Sequence, residues 1–236
     1  MPTTSAGSPK FHIAENDDDF VRIGTAILNE QIQSVINERS FCILGLSGGS
    51  TSKPIYEALG KEKGTDWSKV WIFLVDDRYI RADDPKSNQF LIRSTLLKHA
   101  PIPESQIIFP DTSLPLKKCI DLYDRQLADL LKKGPTDIVT LGMGDDGHIA
   151  SLFPPLSDGA FGPKNVIHTT TERFDVRDRI SVTLPVIKNA EQSVFLLKGE
   201  GKKKVWEEMM ASSDDERRWP AKVVISNTAT TAITHW

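Results

Sequence analysis

Asp137-Ile138-Val139-Thr140-Leu141-Gly142-Met143-Gly144-Asp145-Asp146-Gly147-His148-Ile149-Ala150-Ser151-Leu152-Phe153-Pro154 says more than the rest of the 236-residue chain together. Its first five residues read as a short strand buried in a parallel sheet. The run empties into glycines, two aspartates and one histidine, then a short apolar run stopped by prolines. Glycines let the backbone turn sharply or approach a ligand closely. Loops at strand ends are where α/β proteins carry their chemistry. A histidine in such a loop is a candidate proton-transfer group near neutral pH.

Working outward, Phe41-Cys42-Ile43-Leu44-Gly45-Leu46 and Val70-Trp71-Ile72-Phe73-Leu74-Val75 are two more continuous apolar runs of the same kind. Further strands are expected at 166–170, 180–184, 193–197 and 223–226. Between them lie helical patterns. Asn16 before Asp17, Asp18 and Asp19 marks a helix start, and Val21, Leu28, Ile32 and Val35 then share one face. Pro54 suits the first turn of a helix that Gly60 can close. Residues 88–98 read as helix, and Leu116, Ile120, Tyr123, Leu127 and Leu130 recur at four and three until Gly134 ends the pattern. Residues 186–191 and 201–211 are helical as well. Alternating strands and helices imply a Rossmann-like α/β fold: a mostly parallel sheet with helices on both faces, in a single domain over 10–236. Residues 1–9, small and polar, read as a disordered tail.

Bulk properties exclude several classes. An apolar fraction of 39% and a charged fraction of 26% are ordinary for a soluble protein. A net charge of −3 argues against non-specific nucleic-acid binding. No apolar run approaches the roughly 18 residues that span a membrane, and the first residues lack a charged-then-apolar signal pattern. Cys42 and Cys119, without CxxC spacing, suggest neither a disulfide framework nor a zinc site. A cytoplasmic, enzyme-sized protein, monomeric by default, is expected.

Three groups of residues carry candidate chemistry. Ser47-Gly48-Gly49-Ser50-Thr51 follows the first buried strand and precedes the helix at Pro54. Bared amides, flanking hydroxyls and a positive helix end make this a phosphate-binding turn, although it lacks the GK[ST] ending of a Walker loop. A small-residue turn is its bland reading. Lys202, Lys203 and Lys204 crowd an apparent helix N-terminus, where the dipole disfavours cations. Ion pairs to Glu207 and Glu208 would account for them with poor polarity; a bound anion accounts for at least one better. Arg179, directly before a strand, can add bidentate geometry to such a clamp. Asp76-Asp77-Arg78 stands at the end of the second strand, a solvated loop in the plain reading and a polyhydroxyl-orienting group in the functional one. Ser87-Asn88 can cap a helix or meet a ligand. Asp146 can orient the imidazole of His148 and select its tautomer.

Gly142-Met143-Gly144-Asp145-Asp146-Gly147 formally satisfies GxGxxG, with Glu172 near the distance expected of a ribose-binding acid. Aspartates where a pyrophosphate needs donors, and Pro154 with Pro155 where a full helix should run, count against a dinucleotide site.

Together these segments resemble the 6-phosphogluconolactonase family, within the larger group that includes glucosamine-6-phosphate deaminases. Leu46 to Thr51, Asp76-Asp77-Arg78, Ser87-Asn88, Leu141 to Pro154, Arg179 to Pro185, Gly199-Glu200-Gly201-Lys202 and Trp219-Pro220-Ala221 carry the resemblance, in order. Three positions depart from it. Asp77 replaces a usual glutamate, Ile149 a usual threonine and Pro155 a common glycine. The deaminase branch places a glutamate five positions after the histidine, where this chain has Phe153. The resemblance implies hydrolysis of 6-phospho-D-glucono-1,5-lactone. His148 is then the general base, with Asp146 behind it and Arg78 or backbone amides at the oxyanion. Ser47 to Thr51, Arg179 and Lys202 would hold the 6-phosphate, and Asp76, Asp77 and Asn88 would meet sugar hydroxyls. Water as nucleophile calls for no organic cofactor, and no spacing calls for a metal. Deamination of glucosamine 6-phosphate and non-catalytic sensing of a sugar phosphate are the rival expectations.

Overall fold

The computed structural model describes residues 8–236, so the expected tail at 1–9 lies, but for Ser8 and Pro9, outside the described residues. In chain order the elements are β1 (Lys10–Ile13), α1 (Asp17–Arg39), β2 (Cys42–Leu46), α2 (Lys53–Lys61), β3 (Val70–Leu74) and β4 (Asp76–Arg78). Next come α3 (Asn88–Ser94), α4 (Leu96–His99), β5 (Ile107–Ile108), α5 (Leu116–Leu131), β6 (Ile138–Leu141) and β7 (Val166–Thr170). The chain closes with β8 (Asp178–Val182), α6 (Leu184–Lys188), β9 (Gln192–Lys198), α7 (Glu200–Ala211), α8 (Pro220–Asn227) and β10 (Ala229–His235).

Among the described residues seven strands form one parallel sheet in the order β1-β10-β9-β6-β2-β3-β5. All five residues of β2 are buried, because both sheet faces are covered. Alternate side chains feed two cores. Cys42, Leu44 and Leu46 pack with Leu28 and Ile32 of α1 and Ile55 and Leu59 of α2. Ile43, Val139 and Leu141 pack on the opposite face with Tyr123 and Leu127 of α5, Trp206 of α7 and Val224 of α8. Each such side chain contributes about 1.5–3 kcal/mol of burial. This is the expected single-domain, Rossmann-like α/β architecture. Helix α1 starts as read: the Asn16 side chain accepts the Asp19 N–H at 2.9 Å, and three aspartates face the positive dipole end.

Differences from the sequence reading have local causes. Residues 223–226 are helix, not strand: Pro220 opens α8, and a four-residue apolar run cannot itself distinguish the two. The strand at this end is β10, whose threonines and alanines gave no apolar run, yet it lies between β1 and β9. Strand β1 was not anticipated either; its four residues are exposed and it forms an edge. Asp76-Asp77-Arg78 is not a loop but a strand of a second, antiparallel sheet, β4-β8-β7.

The order of the large sheet positions the site. From β2 the chain moves outward to β3 and β5, then returns to the other side of β2 as β6. The strand order reverses between β2 and β6, and a crevice opens at their carboxyl ends. The Ser-Gly-Gly turn and the His148 loop leave the sheet at this point. Among the described residues no helix is long and apolar enough to cross a membrane.

Candidate active site

A buried set of hydroxyls anchors the turn after β2. The Ser47 N–H donates to Thr140 Oγ1 of β6 at 3.1 Å. The Tyr56 hydroxyl donates to the Ser47 carbonyl at 2.9 Å and lies 2.6 Å from Thr140 Oγ1. Burial pushes the Tyr56 phenol up, so it remains a neutral donor. Ser52 Oγ bonds to the Gly49 carbonyl at 3.1 Å, leaving the first turn of α2 without a side-chain cap. Uncapped N–H groups at a helix start favour an anion. Gly48 is obligatory: a Cβ there would lie 1.8 Å from Asn88 Oδ1.

The loop after β6 holds the imidazole. Gly144 N–H donates to the His148 carbonyl at 2.8 Å, closing the loop on itself. The ring packs so tightly that a Cβ on Gly144 would stand 2.1 Å from His148 Cε1 and Nδ1. His148 Nδ1 lies 2.5 Å from Asp146 Oδ1. The same carboxylate oxygen accepts the His148 backbone N–H at 3.2 Å, and its other oxygen meets the Arg173 guanidinium at 3.0 Å. Burial alone would raise the Asp146 carboxyl. The bond to His148, the His148 charge and backbone N–H, and Arg173 together hold it well below the usual carboxylate range. An ionised Asp146 selects the tautomer with its proton on Nδ1, so Nε2 presents a lone pair. No group among the described residues bonds Nε2, and the ring lines the cavity.

That cavity, about 420 Å³, is bounded by Ser47, Gly48, Gly49, Ser50, Thr51, Asp76, Arg78, Asn88, His148, Arg179 and Lys202. Eleven of the thirteen residues singled out in the sequence therefore converge on one space. Asp146 stands behind the imidazole rather than on the wall, as an orienting group should. Asp77 is the correction. It is wholly buried; its oxygens accept from the N–H groups of Arg78 (2.7 Å), Asn88 (2.7 Å) and Gln89 (3.1 Å) and from Ser87 Oγ (3.0 Å). It caps α3 and ties β4 to it, and it has no surface to offer a sugar. Burial pushes its carboxyl up to about 6. Ser87 likewise caps α3, whereas Asn88 reaches the cavity, donating to the Asp76 carbonyl at 2.8 Å and accepting from Arg78 at 2.7 Å.

Pairing of β4 with β8 sets Arg78 opposite Arg179. Like charges directly opposite are destabilising. Burial and then the Arg78 charge lower the pKa of Arg179. Two arginines thus stand side by side on the cavity wall, where they could hold an anion. Lys202 adds a third cation, its Nζ resting 2.6 Å from Asp145. Lys203 and Lys204 do not line the cavity. Helix α7 starts at Glu200, so Lys202 and Lys203 fall in its first turn.

Three contributors escaped the sequence reading. Ser151 Oγ donates to Asp76 Oδ2 at 2.6 Å, fixing that acid. Phe174, from the connection between β7 and β8, packs near His148 and under the Arg179 guanidinium, 5.2 Å from its ring centre. Arg173 is its neighbour. An aromatic in a charged loop was the sole signal for either. Phe153 lies with its ring centre 4.7 Å from that of His148, so an apolar ring stands beside the imidazole. The dinucleotide alternative fails on geometry: no helix follows Gly147, and Glu172 is exposed and paired with Arg177.

A parallel sheet with an imidazole–carboxylate pair and an arginine-lined cavity at its switch point defines a class. Residues 15–236 match the family model described as glucosamine-6-phosphate isomerases/6-phosphogluconolactonase. The chain is 44% identical over 200 residues to a probable 6-phosphogluconolactonase of Dictyostelium discoideum, covering 83% of this chain and 85% of that protein. A solved 6-phosphogluconolactonase from Plasmodium vivax superposes with a TM-score of 0.89 at 29% identity, covering 97% of this chain and 91% of that one. One from Thermotoga maritima gives 0.86 at 25% identity, covering 97% and 100%. The chain belongs to the 6-phosphogluconolactonase family within that larger group.

Proposed function

We propose that this protein hydrolyses 6-phospho-D-glucono-1,5-lactone to 6-phospho-D-gluconate, the second step of the oxidative pentose phosphate pathway. One observation carries the mechanism: a His148 ring with Nδ1 on Asp146 and Nε2 free opens into the cavity that also holds the Ser-Gly-Gly turn, Arg179 and Lys202. Arg179, Lys202 and the amides and hydroxyls of residues 47–51 grip the 6-phosphate. That grip places the lactone carbonyl near the imidazole. Nε2 takes a proton from water as its oxygen bonds to the carbonyl carbon. Asp146 stabilises the imidazolium so formed. Arg78 stabilises the negative charge developing on the carbonyl oxygen. The intermediate collapses with cleavage of the ring C–O bond, and the imidazolium returns its proton to the ring oxygen. The new carboxylic acid ionises, so each turnover releases one proton. Positioned proton transfer of this kind contributes about 10²–10⁴-fold.

Phe153 bears on the deaminase alternative. The residue beside the imidazole has no proton to move, whereas amine loss with isomerisation requires further proton transfers. The family membership and the apolar ring at this position both support hydrolysis. Both cysteines are buried free thiols, which supports a reducing, cytosolic setting for the same reading.

The test supplies purified protein with freshly prepared lactone and, separately, glucosamine 6-phosphate. Proton release above the spontaneous rate is expected with the first and no ammonia with the second. Ammonia release, or binding of phosphogluconate without turnover of either compound, would overturn the proposal.

A further inference from the structure

We propose that Arg173 is a positioning residue for the Asp146–His148 pair, delivered to it by the connection between β7 and β8. This inference rests on the hydrolytic reading above and deepens it. Asp146 has two oxygens and two partners on opposite sides: Oδ1 faces His148 Nδ1, and Oδ2 faces the Arg173 guanidinium at 3.0 Å. A carboxylate held at one oxygen alone can rotate about its last bond, and the imidazole turns with it. Held at both, it has one orientation. Arg173 does not line the cavity, so it acts through Asp146 and not on the ligand.

Residues around Arg173 bind the same connection to the site. The Arg173 N–H donates to Thr171 Oγ1 at 3.2 Å, shaping the turn. The ring of its neighbour Phe174 stands nearly perpendicular to that of His148, with centres 6.1 Å apart, and the Arg179 guanidinium lies over the Phe174 ring. One short segment thus holds the general base through Arg173 and one arginine of the anion grip through Phe174. The opposite side of Asp146 is braced separately, since Arg218 donates to its carbonyl at 2.8 Å.

A guanidinium on Asp146 also tempers the acid's pull on the imidazole. Other charges share the cavity or its rim: Asp76 and Arg78 of β4, Arg179 of β8, and Lys202 of α7 with its partner Asp145. Arg218 precedes α8. All of these stay in place when Arg173 alone is replaced. Removing it leaves more of the Asp146 charge to stabilise the protonated ring.

Steady-state kinetics of Arg173→Ala, Arg173→Gln and Arg173→Lys, with phosphogluconolactone across pH 5 to 8, test the assignment. Expected for the Ala and Gln variants are a kcat reduced about tenfold, a KM within about twofold of wild type, and an acid limb of the kcat/KM profile displaced upward. Lys should recover most of kcat. Phe174→Ala should do the reverse, raising KM through Arg179 more than it lowers kcat. Wild-type kcat and pH profile in Arg173→Ala would overturn the inference, as would a loss confined to KM. Nitrogen-15 spectra of the histidines supply a readout independent of turnover. In wild type the His148 signals should be narrow and report the proton on Nδ1, and in Arg173→Ala they should broaden as the ring, no longer held in one orientation, moves between several. An unchanged spectrum in the variant overturns the inference even where the lactonase assignment stands. An inactive wild type with the broadening present in the variant overturns the lactonase assignment alone.

Discussion

The floor and the roof of the cavity are made differently. The floor is the pair of turns leaving β2 and β6, one hooked to buried polar groups, Ser47 to Thr140 and Tyr56, and the other closed on itself from Gly144 to the His148 carbonyl. The roof is the small antiparallel sheet, with Arg78 and Arg179 side by side and an exposed connection carrying Arg173 and Phe174. Ser47, Thr140 and Tyr56 have lost their water, so displacing one leaves a buried group unsatisfied. Roof contacts made by exposed side chains are screened and exchange readily with solvent. Chemistry resting on the floor should fail abruptly when disturbed, and grip by the roof should weaken by degrees.

The largest effect should come from His148→Ala. A kcat lowered by about 10²–10⁴, with phosphogluconate affinity retained by calorimetry, would set the base apart from the grip. Loss of binding instead would merge the two regions and break the comparison. Asp77→Ala is next, because Asp77 joins roof strand β4 to helix α3, whose Asn88 packs on Gly48 of the floor. Stranding four donors should cost about 3 kcal/mol of stability in urea unfolding. A stable variant would show that roof and floor are independent.

Gly144→Ala should follow, at about 100-fold in kcat, because the new methyl displaces the imidazole while leaving the cavity open. A crystal structure of the variant with the ring unmoved would refute the tight packing of the floor. Lys202→Ala should raise KM about tenfold with little change in kcat, the loss of one charge-assisted bond to phosphate. The smallest effect concerns pH. The carboxyl of Asp146 is held below its ordinary value of 3.8. Its ionised form therefore stabilises the fold above that pH, and the stabilisation is lost as pH falls through the lower folded-state value. Thermal midpoints of wild type and Asp146→Asn should differ at pH 7 and converge as the pH drops below 3.8.

What could be read in the chain divides along the same line. Floor residues are contiguous in sequence and follow buried strands, so local rules reach them: an apolar run, then glycines and hydroxyls, then a helix start. Asp146 and His148 stand two positions apart and meet by local folding. Asp77 misled because a charged residue after a strand is ordinarily solvated, and only the fold of residues 87–89 back onto it revealed a cap. Strand β10 was hidden because the threonine and alanine side chains it offers the sheet are short and only half apolar. In 223–226 four apolar residues could serve either structure, and Pro220 together with the packing of Ala221 and Val224 made them helical.

By itself the sequence determined the class of fold, the two turns at the cavity and the histidine proposed as base, since each depends on residues close along the chain and on the burial pattern they dictate. Tertiary structure alone decided which face of β4 closes the cavity, that Arg78 meets Arg179, and that Arg173 reaches Asp146. Those contacts join segments distant in sequence. Their geometry depends on strand order and register, which many chain positions set jointly and no short stretch encodes.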